Sequence, residues 1–250
     1  PILQGRLTRR GQARAGIFQS ARDAGSRRCS SLLYPVVRGA TAPKKRALDE
    51  LLTAIFERAR QLGLIDERPQ GAIDATGFEA SYASSYYVER KGYKPFFRRR
   101  WTKLTVVCDT QTHLFPGAVV SRGPSNDSPQ FPEAMTQAVQ HVPFHRILAD
   151  AAYDGEHNHR LCREELGIAS TIIPINRRRG PGPPRSRYRA QMHRRFPKRL
   201  YGQRWQIESA ISQNKRRLGT ALRARNDQAQ DRECLLRVLT HNLMIIRCLQ

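Results

Sequence analysis

At 250 residues, the chain is long enough to bury a sizeable core as one large domain, or one domain with a small appendage. Forty-four Lys and Arg against 21 Asp and Glu leave a formal charge of +23, a self-repulsion that a polyanion relieves, so nucleic acid is the first expected partner and an anionic membrane surface the second. No stretch approaches the roughly 18 apolar residues of a spanning helix, and five scattered cysteines without a CxxC pair argue against a disulfide framework and a zinc cage and for a reducing cytoplasm.

Residues 1–47 hold eleven Lys or Arg and one acid, Asp23, which reads as a basic, loosely ordered arm. The chain opens on Pro1 without a Met, as removal of an initiator or loss of a true N-terminus would each leave it. An amphipathic helix follows in KKRALDELLTAIFERARQLGL, where Leu48, Leu51, Leu52, Ile55, Phe56 and Ala59 recur at steps of three and four. From position 71 the pattern becomes α/β. GAIDATGF, TKLTVVCD and HLFPGAVVS read as three strands, PQFPEAMTQAVQHV as a helix opened by prolines, and RILADAAYD as a fourth strand. GEHNHRLCREELG reads as a helix closed by Gly167, ASTIIPI as a fifth strand, and YGQRWQIESAISQNKRRLG as a last helix. Between those two, residues 176–200 carry a dense run of one charge; from Asn176 to Arg204 there are eleven Lys or Arg, four prolines and no acid. Such a run is expected to form a mobile cationic loop without a core, with Arg177, Arg178 and Arg179 as DNA contacts.

On the last helix, Tyr201, Arg204, Glu208 and Lys215 stand at offsets of 3, 7 and 14, and at about 100° per residue they fall within roughly 60° of one another. One stripe then carries a phenol, a guanidinium, a carboxylate and an ammonium, which suits either a metal ion beside a phosphodiester or a solvated helix with ordinary charge pairs. Two further acids sit at strand ends, Asp74 in the first strand and Asp150 in the fourth, where an open sheet positions chemistry. Three carboxylates brought within about 4 Å repel by about 4 kcal/mol per pair at an effective dielectric near 20. They remain ionised only with cations among them, and hard oxygen donors select Mg²⁺ or Mn²⁺, two of which suit in-line phosphoryl displacement.

These motifs, AIDATGF with Asp74, LADAAYDGE with Asp150 and the Tyr201–Arg204–Glu208–Lys215 helix, resemble those of the DDE transposases of bacterial insertion sequences over residues 48–247. The resemblance implies an RNase H-like mixed sheet flanked by helices over 48–250, with catalytic carboxylates on strand ends and a C-terminal helix. It implies that Asp74, Asp150 and Glu208 hold two Mg²⁺ or Mn²⁺ ions, and that water cuts the element end to leave a 3′-hydroxyl that attacks target DNA. Tyr201, Arg204 and Lys215 would grip double-stranded DNA near the scissile phosphate, with a dimer on the DNA and a location at the nucleoid. The 58 positions from Asp150 to Glu208 leave no room for the long β-rich insertion of some relatives. The alternatives are a decayed, catalytically silent DNA binder and a structure-specific nuclease that hydrolyses without transfer.

Weaker signals carry bland expectations. Asp109 should serve a turn, and Asp154 should cap the helix beginning at Gly155. His157, His159 and Cys162 lack a fourth zinc ligand. Trp205 is expected to pack on the core rather than stack on a base, and Arg98, Arg99, Arg100 and Lys103 to form a solvated strand entrance.

Overall fold

The structure, a computed structural model, describes residues 45–80, 101–176 and 182–249. Most of the basic arm, Arg98, Arg99 and Arg100, and the proposed contacts Arg177, Arg178 and Arg179 lie outside them.

Helix α1 (Lys45–Gln61) follows the expected apolar stripe with one exception. Leu48, Ile55, Phe56 and Ala59 are buried, while Leu51 is 53% exposed, on the solvent side of the stripe. The helix stops in a left-handed turn at Gly63 (φ 65°), where the Leu64 N–H reaches back to the Ala59 carbonyl and Gly63 N–H to that of Arg60.

Strands β1 (Gln70–Ala80), β2 (Trp101–Asp109), β3 (Gly117–Gly123), β4 (Arg146–Ala149) and β5 (Ser170–Ile172) form a sheet in the order β3-β2-β1-β4-β5. The first three pair antiparallel, whereas β4 and β5 join β1 in parallel. This is the RNase H-like mixed α/β arrangement expected from the sequence. Period-2 alternation splits β1 between two cores. Ile73 packs with Phe56, Phe131, Met135 and Ile147 under α1 and α2 (Phe131–His141), while Ala72 and Phe78 pack with Leu148, Ile207, Ala210 and Val238 on the other face. Both faces being covered, β2 is buried at every position after Trp101.

Three expected strand or helix boundaries shift for local reasons. HLFPGAVVS pairs only from Gly117, because the backbone N–H and C=O of Phe115 are taken by the Asn242 side chain instead of a neighbouring strand. RILADAAYD leaves the sheet at Asp150, whose carboxylate accepts the Ala152 N–H and starts a 3₁₀ turn over Ala151–Tyr153. The next helix, α3 (Glu156–Arg160), continues as a π turn over Leu161–Glu165 before Gly167.

The basic segment departs furthest from expectation. Instead of a structureless loop, its described part folds as α4 (Arg187–Arg194) and α5 (Lys198–Tyr201). Tyr188 and Met192 supply the buried contacts, and Glu156 accepts the backbone N–H groups of Tyr188 and Arg189 at the start of α4. Asp154 does not cap α3, whose N-cap is Gly155. Its fully buried carboxylate takes a two-point bond from Arg189 at 2.8 Å and the Asn176 N–H. A segment rich in positive charge thus folds over acids supplied by the neighbouring α3 region.

The expected continuous helix over 201–218 is instead α5, a 3₁₀ turn (Gly202–Arg204) and α6 (Trp205–Leu218). A short β6 (Ala221–Leu222) pairs with the end of β1, and α7 (Asp227–Leu249), which sequence reading did not identify, closes the fold. Helix α7 touches both cores, with Cys234 and Val238 in one and Leu239, Ile245 and Ile246 in the other.

Removing the partner of a buried charge is far more costly than removing a surface pair. Arg189→Ala should therefore destabilise the fold by about 3–5 kcal/mol in urea unfolding, and a change under about 1 kcal/mol would show that Asp154 is solvated or neutral.

Two buried histidines set an acid limit. Burial depresses His159, which shares a hydrogen bond with Thr171 Oγ1, to about 4. Burial likewise holds His241, stacked on Phe115 and donating to the His113 carbonyl, at about 4. Both folded values lie below the ordinary 6.5, so each ring contributes stability that is complete above about pH 6.5 and is lost as pH falls toward 4. Between pH 7.5 and pH 5 the loss should be roughly 2 kcal/mol per ring. Ring proton resonances should stay at neutral positions down to about pH 5; a midpoint near the ordinary value for either ring would contradict this.

Candidate active site

The site begins with a register. Ile73 of β1 pairs with Ala149 of β4 in parallel, so the next residues, Asp74 and Asp150, lie side by side; β4 ends there, whereas Asp74 sits inside β1, opposite Val106 of β2, and not at the strand end expected from the sequence. Alternation directs both toward the face where Ala72, Leu148 and Phe78 pack on Ile207 and Ala210 of α6. Asp74 Oδ1 accepts the Ala75 N–H at 2.8 Å and Asp150 Oδ1 accepts that of Ala152 at 2.8 Å. Burial pushes the Asp74 carboxyl above the usual range; the Ala75 N–H and Arg204 oppose the rise, and the charge of Asp150 adds to it.

Helix α6 carries Glu208 in its first turn, beside Ile207, with the buried Ile207 and Ala210 fixing the rotation of the helix on the sheet. Arg204 bridges the elements. One terminal nitrogen lies 3.3 Å from Asp74 Oδ2, and the other is bonded to Glu208 Oε1. Burial works against the Arg204 charge, but Asp74, Tyr201, Glu208 and Asp150 together outweigh it and raise the guanidinium further. Tyr201 is half-buried edge-on to Phe196 at 5.0 Å, and burial raises its phenol. Lys215 donates to the Gly77 carbonyl at 2.9 Å and lies over the Phe78 ring at 5.2 Å, with burial lowering its ammonium. An open pocket of about 480 Å³ is lined by Asp74, Thr76, Glu208, Lys215, Arg216 and Thr220. Sequence reading missed Arg216, Thr76 and Thr220, which carry no signal beyond sitting near the motif residues.

A family model described as the transposase DDE domain matches residues 66–243. The chain belongs to the DDE transposase family. Membership carries a DNA substrate and a metal-dependent nucleic-acid-processing activity connected with transposition. Among the described residues, no helix is long and apolar enough to cross a membrane.

For this transposase domain the structure places Asp74, Glu208 and Lys215 on one pocket, with Arg204 bridging the two acids and Tyr201 and Asp150 near that guanidinium, but not as three touching carboxylates. Among the described residues, no three acid, histidine or cysteine side chains stand close enough together to hold an ion, because Arg204 stands between Asp74 and Glu208. The donor chemistry nevertheless fits a hard divalent cation. It is all carboxylate oxygen, and the burial that raises Asp74 beside Asp150 makes added positive charge favourable there.

The weaker signals resolve one by one. Asp109 does serve its turn, accepting the N–H and hydroxyl of Thr112. His159 is buried against Thr171. Lys103 is not a solvated edge, since its buried ammonium pairs with Asp127 and donates to the Ser125 carbonyl. Trp205 does not pack on the core: it is 53% exposed, one turn before Glu208, because the core-facing positions of α6 are Ile207, Ala210 and Asn214.

An exposed indole contributes little to the fold. Trp205→Phe should change unfolding free energy by less than about 0.5 kcal/mol. A loss of about 2 kcal/mol or more in denaturant titration would return Trp205 to the core.

Proposed function

We propose that Asp74, Asp150 and Glu208 are the acids of a transposase centre that cuts DNA at the ends of its element and joins the resulting 3′-hydroxyl to target DNA. The observation that carries this reading is the adjacency of Asp74, inside β1, and Asp150, just past the end of β4, with Asp74 and Glu208 of α6 lining one pocket. Mg²⁺ or Mn²⁺ held by these three carboxylates would polarise the scissile phosphate and favour an oxygen nucleophile.

The chain's own residues account for the remaining work. Arg204 offers a planar fork suited to phosphate oxygens. The Tyr201 phenol stays protonated, its pKa being raised by burial, and so can donate a hydrogen bond to a phosphate. Lys215, anchored on Gly77, fixes a positive charge at the far end of the same pocket. The exposed cations of α4 and α5, Arg194, Arg195, Lys198 and Arg199 among them, extend this positive surface and supply salt-sensitive, sequence-independent affinity. Two ends cut in one event call for two centres, hence a pair of chains on the DNA.

Asp150→Asn keeps the size of the side chain and its bond to Ala152 N–H while removing charge. It should abolish Mg²⁺-dependent nicking of DNA carrying the element's ends and leave DNA binding within a few-fold in a gel-shift titration. Nicking at the wild-type rate in this variant would remove Asp150 from the reaction.

A further inference from the structure

Asp74 has both carboxylate oxygens engaged, Oδ1 by the Ala75 N–H and Oδ2 by Arg204. Glu208 Oε1 is engaged by the other arm of the same guanidinium. The two carboxylates come from β1 and α6, and the Arg204 that joins them stands 130 positions from Asp74, so the bridge ties the sheet to the start of the helix. A carboxylate oxygen that accepts from a guanidinium holds a further cation less well, because one lone-pair direction is taken and the guanidinium charge repels a second positive ion. The same fork is the group best suited to a phosphodiester, and it meets a phosphate bidentately only by giving up the carboxylates. With its side chain 20% exposed, Arg204 reaches solvent from where it stands.

We infer that Arg204 is a displaceable counter-ion: in the free protein it neutralises Asp74 and Glu208, and DNA draws it onto a phosphate, releasing those carboxylates to a divalent cation. Metal and DNA then bind cooperatively, and each strengthens the other by the same factor. The free protein holds metal weakly, so a charged nuclease centre forms only where DNA is present. The inference rests on the reading that Asp74, Asp150 and Glu208 are the metal-holding acids.

The test measures Mn²⁺ binding to the full chain by electron paramagnetic resonance of the free ion, with and without a short DNA duplex at low salt. DNA should tighten Mn²⁺ binding to the wild type by about tenfold or more, and in Arg204→Gln this coupling should shrink below about threefold while Mn²⁺ alone binds tighter than in the wild type. Arg204→Lys keeps the charge and guards against loss of fold; without the planar fork it should show intermediate coupling, and wild-type coupling in it would reject the bridge. Arg216→Gln removes an equal charge from the pocket that Asp74 and Glu208 line and should retain the coupling; its loss there would reject the specific role of Arg204. Full coupling in Arg204→Gln would overturn the inference and leave the site standing. Unchanged Mn²⁺ affinity in Asp74→Asn and Asp150→Asn would instead overturn the reading of the site, and the inference with it.

Discussion

Strand β1 is bordered by antiparallel β2 on one side and parallel β4 on the other, and the parallel pairing imposes a like-charge contact on the fold. Parallel neighbours direct their next residues the same way, so Asp74, still inside β1, and Asp150, just past β4, lie side by side on the face that also buries Ala72 and Leu148. Partial burial and the neighbouring charge both raise Asp74. The elements around this contact supply what it lacks. Arg204 brings positive charge from the turn before α6, Lys215 is pinned to β1 one turn from the helix end, and Ile207 and Ala210 fix the helix that carries them.

Helix α7 explains how α6 holds that position. It uses polar side chains where strand neighbours would otherwise be needed. Asn242 takes the N–H and C=O of Phe115, His241 takes the His113 carbonyl, and Arg237 takes those of Gly219 and Ala221. Asn214 of α6 in turn donates to the Arg237 carbonyl. Backbone groups buried at the ends of β3, α6 and β6 are therefore satisfied by one helix, and the cost of burying amide, imidazole and guanidinium groups is offset by those bonds. The arrangement fixes both ends of α6 relative to the sheet, since His113 also contacts Gln206 and Gln213 along its length.

The same polar helix shows where the sequence was hard to read. The strands around Asp74 and Asp150 were legible because period-2 alternation and β-branched runs report burial directly. The α7 segment interleaves Gln230, Arg237, His241 and Asn242 with its apolar residues on buried positions, which blurs the helical stripe. The basic segment misled for the opposite reason. Its composition lacks acids, and the acids that fold it, Asp154 and Glu156, lie more than thirty residues earlier in the chain. Trp205 was misplaced because a large aromatic beside a core helix usually packs; the rotation fixed by Ile207 and Ala210 turns it outward. The motif spacing located Asp74, Glu208 and Lys215, which line the pocket, and Asp150, Tyr201 and Arg204 near them. It carried no information that Arg204 would stand between two of the acids, because that geometry depends on the 3₁₀ turn preceding α6.

That turn also separates the roles of the stripe's members. In an unbroken helix, Tyr201, Arg204, Glu208 and Lys215 would face one direction with equal access to a ligand. Here Tyr201 ends a separate short helix and rests on Phe196, Arg204 is committed to two carboxylates, and Lys215 is committed to the Gly77 carbonyl. Glu208 and Trp205 remain the exposed groups on the first turn of α6. Asp74 and Glu208 are thus already paired with Arg204 before any ligand arrives. A polyanion reaching this site must compete with internal carboxylates for Arg204, so contact with phosphate and release of the acids become a single exchange rather than two independent events.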